Sequence, residues 1–145
     1  GAPHWNSEIR AAFYGITRDS SKTDMVTAAF KALVYQVMDI KEALKIDGIE
    51  IKNLSIDGGM AANTGFCQLL ADFLGQEVQV PSSLESTAIG AAITAGLGSH
   101  LFSLDDLQKK QSSNTTIYKP RKNILDLNDQ AEWRKFLRVL MDAYN

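Results

Sequence analysis

LSIDGGMAANTGFCQLLADFLG, residues 54–75, reads as a strand, a glycine joint and a helix. Leu54 and Ile56 alternate with polar neighbours and lead to Asp57. Gly58 and Gly59 then remove two successive side chains, and Phe66, Leu69, Leu70, Phe73 and Leu74 recur at helical spacing as far as Gly75. Asn63 or Thr64 can cap that helix, because a side-chain oxygen there accepts from the orphan amides of the first turn. Gly75 suits its left-handed end. The joint thus lies at the carboxyl end of a strand, where open α/β sheets form their ligand crevices. Bare backbone lets a ligand approach closely, and the free amides and dipole of a following helix favour phosphate. Asn63, carrying both donor and acceptor, can read a base or ribose edge. The same residues describe a sharp turn followed by an N-cap equally well, and a glycine pair alone does not choose between the two.

Outward from this joint the chain alternates helix and strand. Val26, Phe30, Leu33, Val37, Ile40 and Leu44 repeat every three or four residues, predicting one long helix from Thr23 to a stop at Asp47-Gly48. "IRAAFYGIT", residues 9–17, mixes aromatic and β-branched residues around Gly15 and predicts a strand or hairpin. "IEIKNLSID", 49–57, predicts a strand with Ile51, Leu54 and Ile56 inward, and "EVQV", 77–80, a second, short one. Ser82 and Glu85 stand at capping-box spacing before a helix beginning near Ser86. That helix carries Gly90 and Gly96 among alanines, a composition expected to bring a neighbouring backbone close. "LDDLQKK" predicts a short helix, "QSSNTT" a loop and "TTIYKP" a terminal strand. Trp133, Phe136, Leu137, Leu140, Met141 and Tyr144 mark a last helix capped by Asn128 or Asp129. The order implies an α/β domain with a predominantly parallel or mixed sheet covered by helices.

Composition narrows the function. At 145 residues and 45% hydrophobic content the chain buries one sizeable core, and a formal net charge of −2 without a basic stripe argues against nucleic acid or an anionic membrane surface as partner. One cysteine, Cys67, and no apolar run of bilayer length point to a soluble, cytoplasmic protein. The start at Gly1-Ala2-Pro3, without an initiator Met, predicts a piece of a longer polypeptide. The P-loop and three-glycine dinucleotide patterns are missing. His4 and His100 are isolated and Cys67 has no sequence neighbour to share a metal, so no metal ligand is assigned. Asp57 is expected to bond the adjacent turn or, at most, to orient a magnesium-bound water.

Taken in order, "GAPHWNSEIRAAFYGITRDS", "LVYQVMDIKEAL", "LSIDGGMAANTGFCQLLADFLGQEVQVPSSLESTAIGAAITAGL" and "LDDLQ" resemble the C-terminal part of the glycerol kinase branch of the FGGY carbohydrate kinase family. The likeness covers about residues 1–110 and continues loosely beyond, departing at 121–128. It implies a ribonuclease H-like domain of the actin, Hsp70 and sugar kinase type, with residues 1–145 a single C-terminal fragment on the nucleotide side. It also implies an ATP-dependent phosphotransferase making glycerol 3-phosphate from glycerol, ATP or ADP as ligand, and magnesium held mainly by residues outside this chain. Gly58 and Gly59 would lie along the nucleotide, with Gly59 the closer contact, and Asn63 would sit by the adenine. The small-residue helix Thr87–Leu97 would pack behind the nucleotide loop.

The resemblance places the catalytic base, the acceptor pocket and the other phosphate loops upstream, in a missing N-terminal portion that becomes the main expected partner. No catalytic residue is therefore assigned within 1–145, and the piece alone is expected to be inactive. Two other readings remain at this stage. One is a kinase of the same family for another sugar or polyol. The other is a non-catalytic interaction module that forms a homo-oligomer through exposed apolar faces.

Overall fold

The computed structural model describes residues 2–83, 85–109, 114–121 and 127–144. In chain order these form α1 (Lys22–Ile46), β1 (Leu54–Ser55), a 3-10 helix (Gly59–Ala62), α2 (Thr64–Leu74), β2 (Val78–Pro81), α3 (Ser86–Gly98), α4 (Leu104–Lys109), β3 (Thr115–Tyr118) and α5 (Leu127–Ala143). They group into two compact units, Asn53–Lys122 and Gly1–Lys52 with Asn123–Asn145.

In the unit Asn53–Lys122 the sheet has the order β1-β2-β3. β1 and β2 are parallel, with Leu54 opposite Val78 and Ser55 opposite Gln79. β2 and β3 are antiparallel, from Val78 opposite Tyr118 to Pro81 opposite Thr115. The sheet is therefore mixed, as expected, and α2 is the crossover that lets two parallel strands be neighbours. The strand anticipated over 49–57 contracts to Leu54–Ser55, extended by the Ile56 N–H donating to Gln79 O at 2.9 Å. Its partner β2 runs only four residues, so the ladder ends there and Ile51 is left out of it.

An eleven-residue helix has little stability alone, so α2 depends on its apolar face. Phe66, Cys67, Leu70, Ala71 and Phe73 are buried there, each large apolar side chain contributing about 1.5–3 kcal/mol. Asn63 caps α2 by accepting from the Phe66 N–H at 3.0 Å, and Gly75 ends it in the left-handed conformation, φ 61°. Buried within the same face is Asp72, which accepts from Gln68 Nε2, the Arg121 backbone N–H and the Arg121 guanidinium at 2.7–3.2 Å. Burial alone would raise this carboxyl's pKa, but the bonds from Arg121 and Gln68 outweigh it and hold the value below normal.

α3 departs from expectation in three respects. It starts at Ser86, but no side chain caps it, so the Ser82–Glu85 capping box does not form. Residues 86–92 are exposed, and a Cβ built on Gly90 would meet nothing within 4 Å. The first half of the helix is therefore uncovered among the described residues, and no neighbouring backbone approaches Gly90. Gly96 alone has a close neighbour, the Phe102 ring, which a Cβ would approach to 2.3 Å. The ring is brought back by bonds from Leu101 N–H to Gly96 O and from His100 N–H to Leu97 O, with His100 left-handed at φ 58°. β3, Thr115–Tyr118, falls within the strand expected over TTIYKP and settles the overlap of that reading with the QSSNTT loop at Thr115 and Thr116.

In the other unit Ser21 and Asp24 close a capping box on α1, and Gly48, at φ 80°, follows its end. Val34, Tyr35 and Asp39 are buried, whereas Val26 and Leu33 of the predicted stripe are 55% and 41% exposed. The packing of α5 decides which face of α1 is covered. Lys31 pairs with Asp129 at 2.6 Å, Arg134 bridges Asp39 and Glu42, and Tyr35 meets Trp133 with ring centroids 5.6 Å apart. Asn128 and Asp129 lie in the first turn of α5, not at its cap, because the helix already begins at Leu127. Residues 9–17 form no strand: Tyr14 instead stacks on Phe136 at 5.0 Å, so aromatic content serves ring packing there rather than a ladder. No helix among the described residues is long and apolar enough to cross a membrane.

Candidate functional site

The glycine joint leaves the sheet directly after the Ile56–Gln79 bond. Gly58 has φ 82° and ψ −176°, a conformation essentially reserved for glycine. Its carbonyl accepts from the Ala61 N–H at 3.0 Å, starting the 3-10 turn that the Asn63 N–H closes on Met60 O at 3.1 Å. From below, the turn is held by core packing. Ala61, Cys67 and Val80 form a buried cluster against Ile56 and Tyr118, and the Cys67 thiol donates to Ala61 O at 3.3 Å. Burial raises the Cys67 pKa, so the thiol stays protonated and serves as a donor, not as a nucleophile.

The upper surface is bare. A Cβ on either Gly58 or Gly59 would meet no heavy atom within 4 Å. The leading amides of the 3-10 turn, those of Gly59 and Met60, and of α2, those of Thr64 and Gly65, have no acceptor within their helices by the geometry of helix starts. They are donors suited to an anion. Asn63 is exposed and lies four residues beyond Gly59, about 8 Å along a 3-10 turn. Its Oδ1 is engaged by Phe66 N–H, which leaves Nδ2 as the donor end of the amide. The three residues singled out in the sequence thus stand on one short, rigid segment.

The two glycines separate physically. The turn accounts for Gly58, because its φ demands glycine. It does not account for Gly59, whose φ lies outside the left-handed region and whose side chain would have room. Of the remaining candidates, Asp57 stands at the joint itself, immediately before Gly58. Asp57 is exposed, His100 serves the end of α3, and His4 stands 3.7 Å from Asp39 in the other unit. Among the described residues no group of three His, Cys, Asp or Glu side chains is placed to hold a metal ion. Sequence reasoning passed over two residues. Met60, an exposed apolar side chain, is the only large residue in an otherwise small Gly-Gly-Met-Ala-Ala turn. Asp72 is an acid on a face otherwise made of Phe66, Leu69, Leu70 and Phe73, and that misfit was the available signal.

Comparison with known proteins follows the same chain order. Residues 1–99 match the sequence model of the C-terminal domain of the FGGY family of carbohydrate kinases. Glycerol kinase of Streptococcus agalactiae serotype Ia is 37% identical over 145 residues, covering 96% of this chain and 28% of that protein. Glycerol kinase of Streptococcus pyogenes serotype M6 is 38% identical over 124 residues, 85% of this chain and 25% of that protein. Among solved structures, Plasmodium falciparum glycerol kinase with ADP superposes with a TM-score of 0.67 at 27% identity, covering 99% of this chain and 28% of that one. A xylulose kinase from Lactobacillus acidophilus has the same fold, with a TM-score of 0.61 at 20% identity and 98% and 28% coverage. The chain spans about 28% of the length of the most similar relatives named here.

Proposed function

Since the chain belongs to the FGGY family of carbohydrate kinases, we propose that residues 1–145 are the C-terminal, nucleotide-side part of an ATP-dependent kinase that converts glycerol to glycerol 3-phosphate in the cytoplasm. The observation that carries the nucleotide reading is Gly59, a glycine that no backbone angle and no contact among the described residues requires. A phosphate lying against that backbone supplies the requirement. In this reading the amides at the start of the 3-10 turn and of α2 donate to the phosphates, and Asn63 Nδ2 donates at the base. Gly58 gives the turn its shape, and the Cys67–Ala61 bond keeps it in place. Magnesium, which would neutralise charge on the phosphates, falls to residues outside this chain.

Phosphoryl transfer is mainly positioning and electrostatic stabilisation around an in-line transition state. A piece that supplies one wall for the nucleotide, but neither base nor acceptor pocket, does not meet those conditions. Glycerol-dependent ADP release is therefore expected from the complete polypeptide that carries residues 1–145 and not from the 145 residues alone. Turnover by the short chain, or turnover of the complete one with a pentulose but not with glycerol, would displace this proposal. The second of those results would favour another sugar or polyol kinase of the family.

One observation favours a second reading, an interaction module that self-associates. Phe13, Tyr14 and Ile16, close in sequence, are 47%, 74% and 58% exposed, and Met25 and Val26 38% and 55%, apolar side chains of the kind that an interface covers. Light scattering on the 145-residue chain separates the two: a monomer leaves those faces to the proposed N-terminal portion, a discrete dimer to a second copy.

A further inference from the structure

From the geometry of the 3-10 turn we infer that Met60 is a further nucleotide-contacting residue, packing its thioether against the purine beside Asn63. The inference rests on the proposed nucleotide reading and adds to it a residue and an apolar contact. A 3-10 helix has three residues per turn, so side chains at i and i+3 eclipse. Met60 lies inside the 3-10 helix and Asn63, three residues on, is its C-cap in extended conformation (φ −86°, ψ 101°), joined to it by the Asn63 N–H bond to Met60 O at 3.1 Å. That bond keeps the two residues adjacent at the end of the turn, within reach of one ligand.

The other four residues of the joint are two glycines and two alanines, of which Ala61 is directed into the core. Met60 alone offers a large side chain, and it is 43% exposed rather than packed inward. Methionine is flexible and polarisable and contacts aromatic systems favourably through sulfur. The pair then divides the recognition of a purine. Asn63 Nδ2 donates to a ring-nitrogen acceptor at its edge, and Met60 covers apolar ring surface. Gly59 leaves the neighbouring backbone clear for the phosphates.

The test compares Met60→Ala, Met60→Leu, Asn63→Ala and Gly59→Ala in the complete kinase polypeptide, measuring kcat, the KM for ATP and the melting temperature. Met60→Ala is expected to raise the KM about three- to tenfold, with kcat within about twofold and an unchanged melting temperature, as suits an exposed side chain. Met60→Leu, which keeps the apolar bulk, is expected to restore most of the affinity. An unchanged KM in Met60→Ala, with a raised KM in Asn63→Ala or Gly59→Ala, overturns the role of Met60 and leaves the nucleotide reading standing. A fall in melting temperature that accompanies the KM change makes Met60 structural and overturns the inference too. If none of the variants moves the KM, the nucleotide reading fails and takes this inference with it.

Discussion

Alanine at position 59 is expected to raise the KM for ATP of the complete polypeptide roughly ten- to a hundredfold while leaving its thermal stability unchanged or slightly higher. The stability half follows from the chain itself. Gly59 does not adopt a positive φ, and a Cβ there meets nothing within 4 Å. Alanine also restricts the unfolded chain more than glycine and is the better helix residue, effects worth about 0.4–1 kcal/mol in its favour. The binding half follows from the proposed ligand. A methyl group on a surface that a phosphate touches pushes the phosphate away from the amides, and a hydrogen bond to a charged group is worth about 1.5–3 kcal/mol, hence the range given. Alanine at position 58 carries the opposite signature. Its backbone is held at φ 82° and ψ −176°, so the variant is expected to lose about 1–3 kcal/mol of stability whether or not nucleotide is present. Thermal melts of both variants with and without ADP make the comparison. Equal, small effects at the two positions would return the joint to a plain turn.

That contrast also measures what the sequence could disclose. The strand–glycine–helix order, the cap at Asn63 and the stop at Gly75 were legible because each depends on local chemistry: side-chain periodicity, a capping oxygen and a left-handed glycine. Long α1 was legible for the same reason, through its apolar spacing, whereas its capping box at Ser21 and Asp24 emerged only in the structure. The errors lie where the deciding partner is remote in sequence. Residues 9–17 have strand-forming composition, but Tyr14 finds the Phe136 ring rather than a strand. The face of α1 that is buried is chosen by α5, through Arg134 on Asp39 and Trp133 on Tyr35. Gly90 and Gly96 look alike in sequence, yet only Gly96 has a neighbour, and Phe102 supplies it by returning after the helix end. At the site the pattern marked Gly58, Gly59 and Asn63. It could not separate a glycine demanded by its φ from one left bare without internal need, because backbone angles and empty space are not written in residue type.

Asp72→Ala is expected to lower stability by about 2 kcal/mol, a fall in melting temperature of about 4–8 °C for a chain of this size. Its carboxylate accepts from the Arg121 main chain, the Arg121 guanidinium and the Gln68 amide, so it ties α2 to the stretch immediately after β3. Asp72 is 2% exposed, whereas the Arg121 side chain is 70% exposed. Removing the acid therefore leaves the guanidinium in water, and the expected loss stays below that of a fully buried ion pair. The sign of the pH dependence follows from the lowered pKa. Asp72 binds its proton more weakly folded than unfolded, so its contribution is complete above the ordinary carboxyl value of 3.8 and is lost as pH falls through the lower folded value. The stability gap between wild type and Asp72→Ala should accordingly be constant from neutral pH down to about pH 5, then close on acidification below 4. Urea denaturation at a series of pH values checks this, and a gap that widens in acid would mean that the folded carboxyl is instead raised by its burial. Asn at position 72 keeps the shape and one acceptor but not the charge. It should recover part of the stability near neutral pH without the acid-dependent loss, which separates the hydrogen bonds that hold α2 from the charge on Arg121.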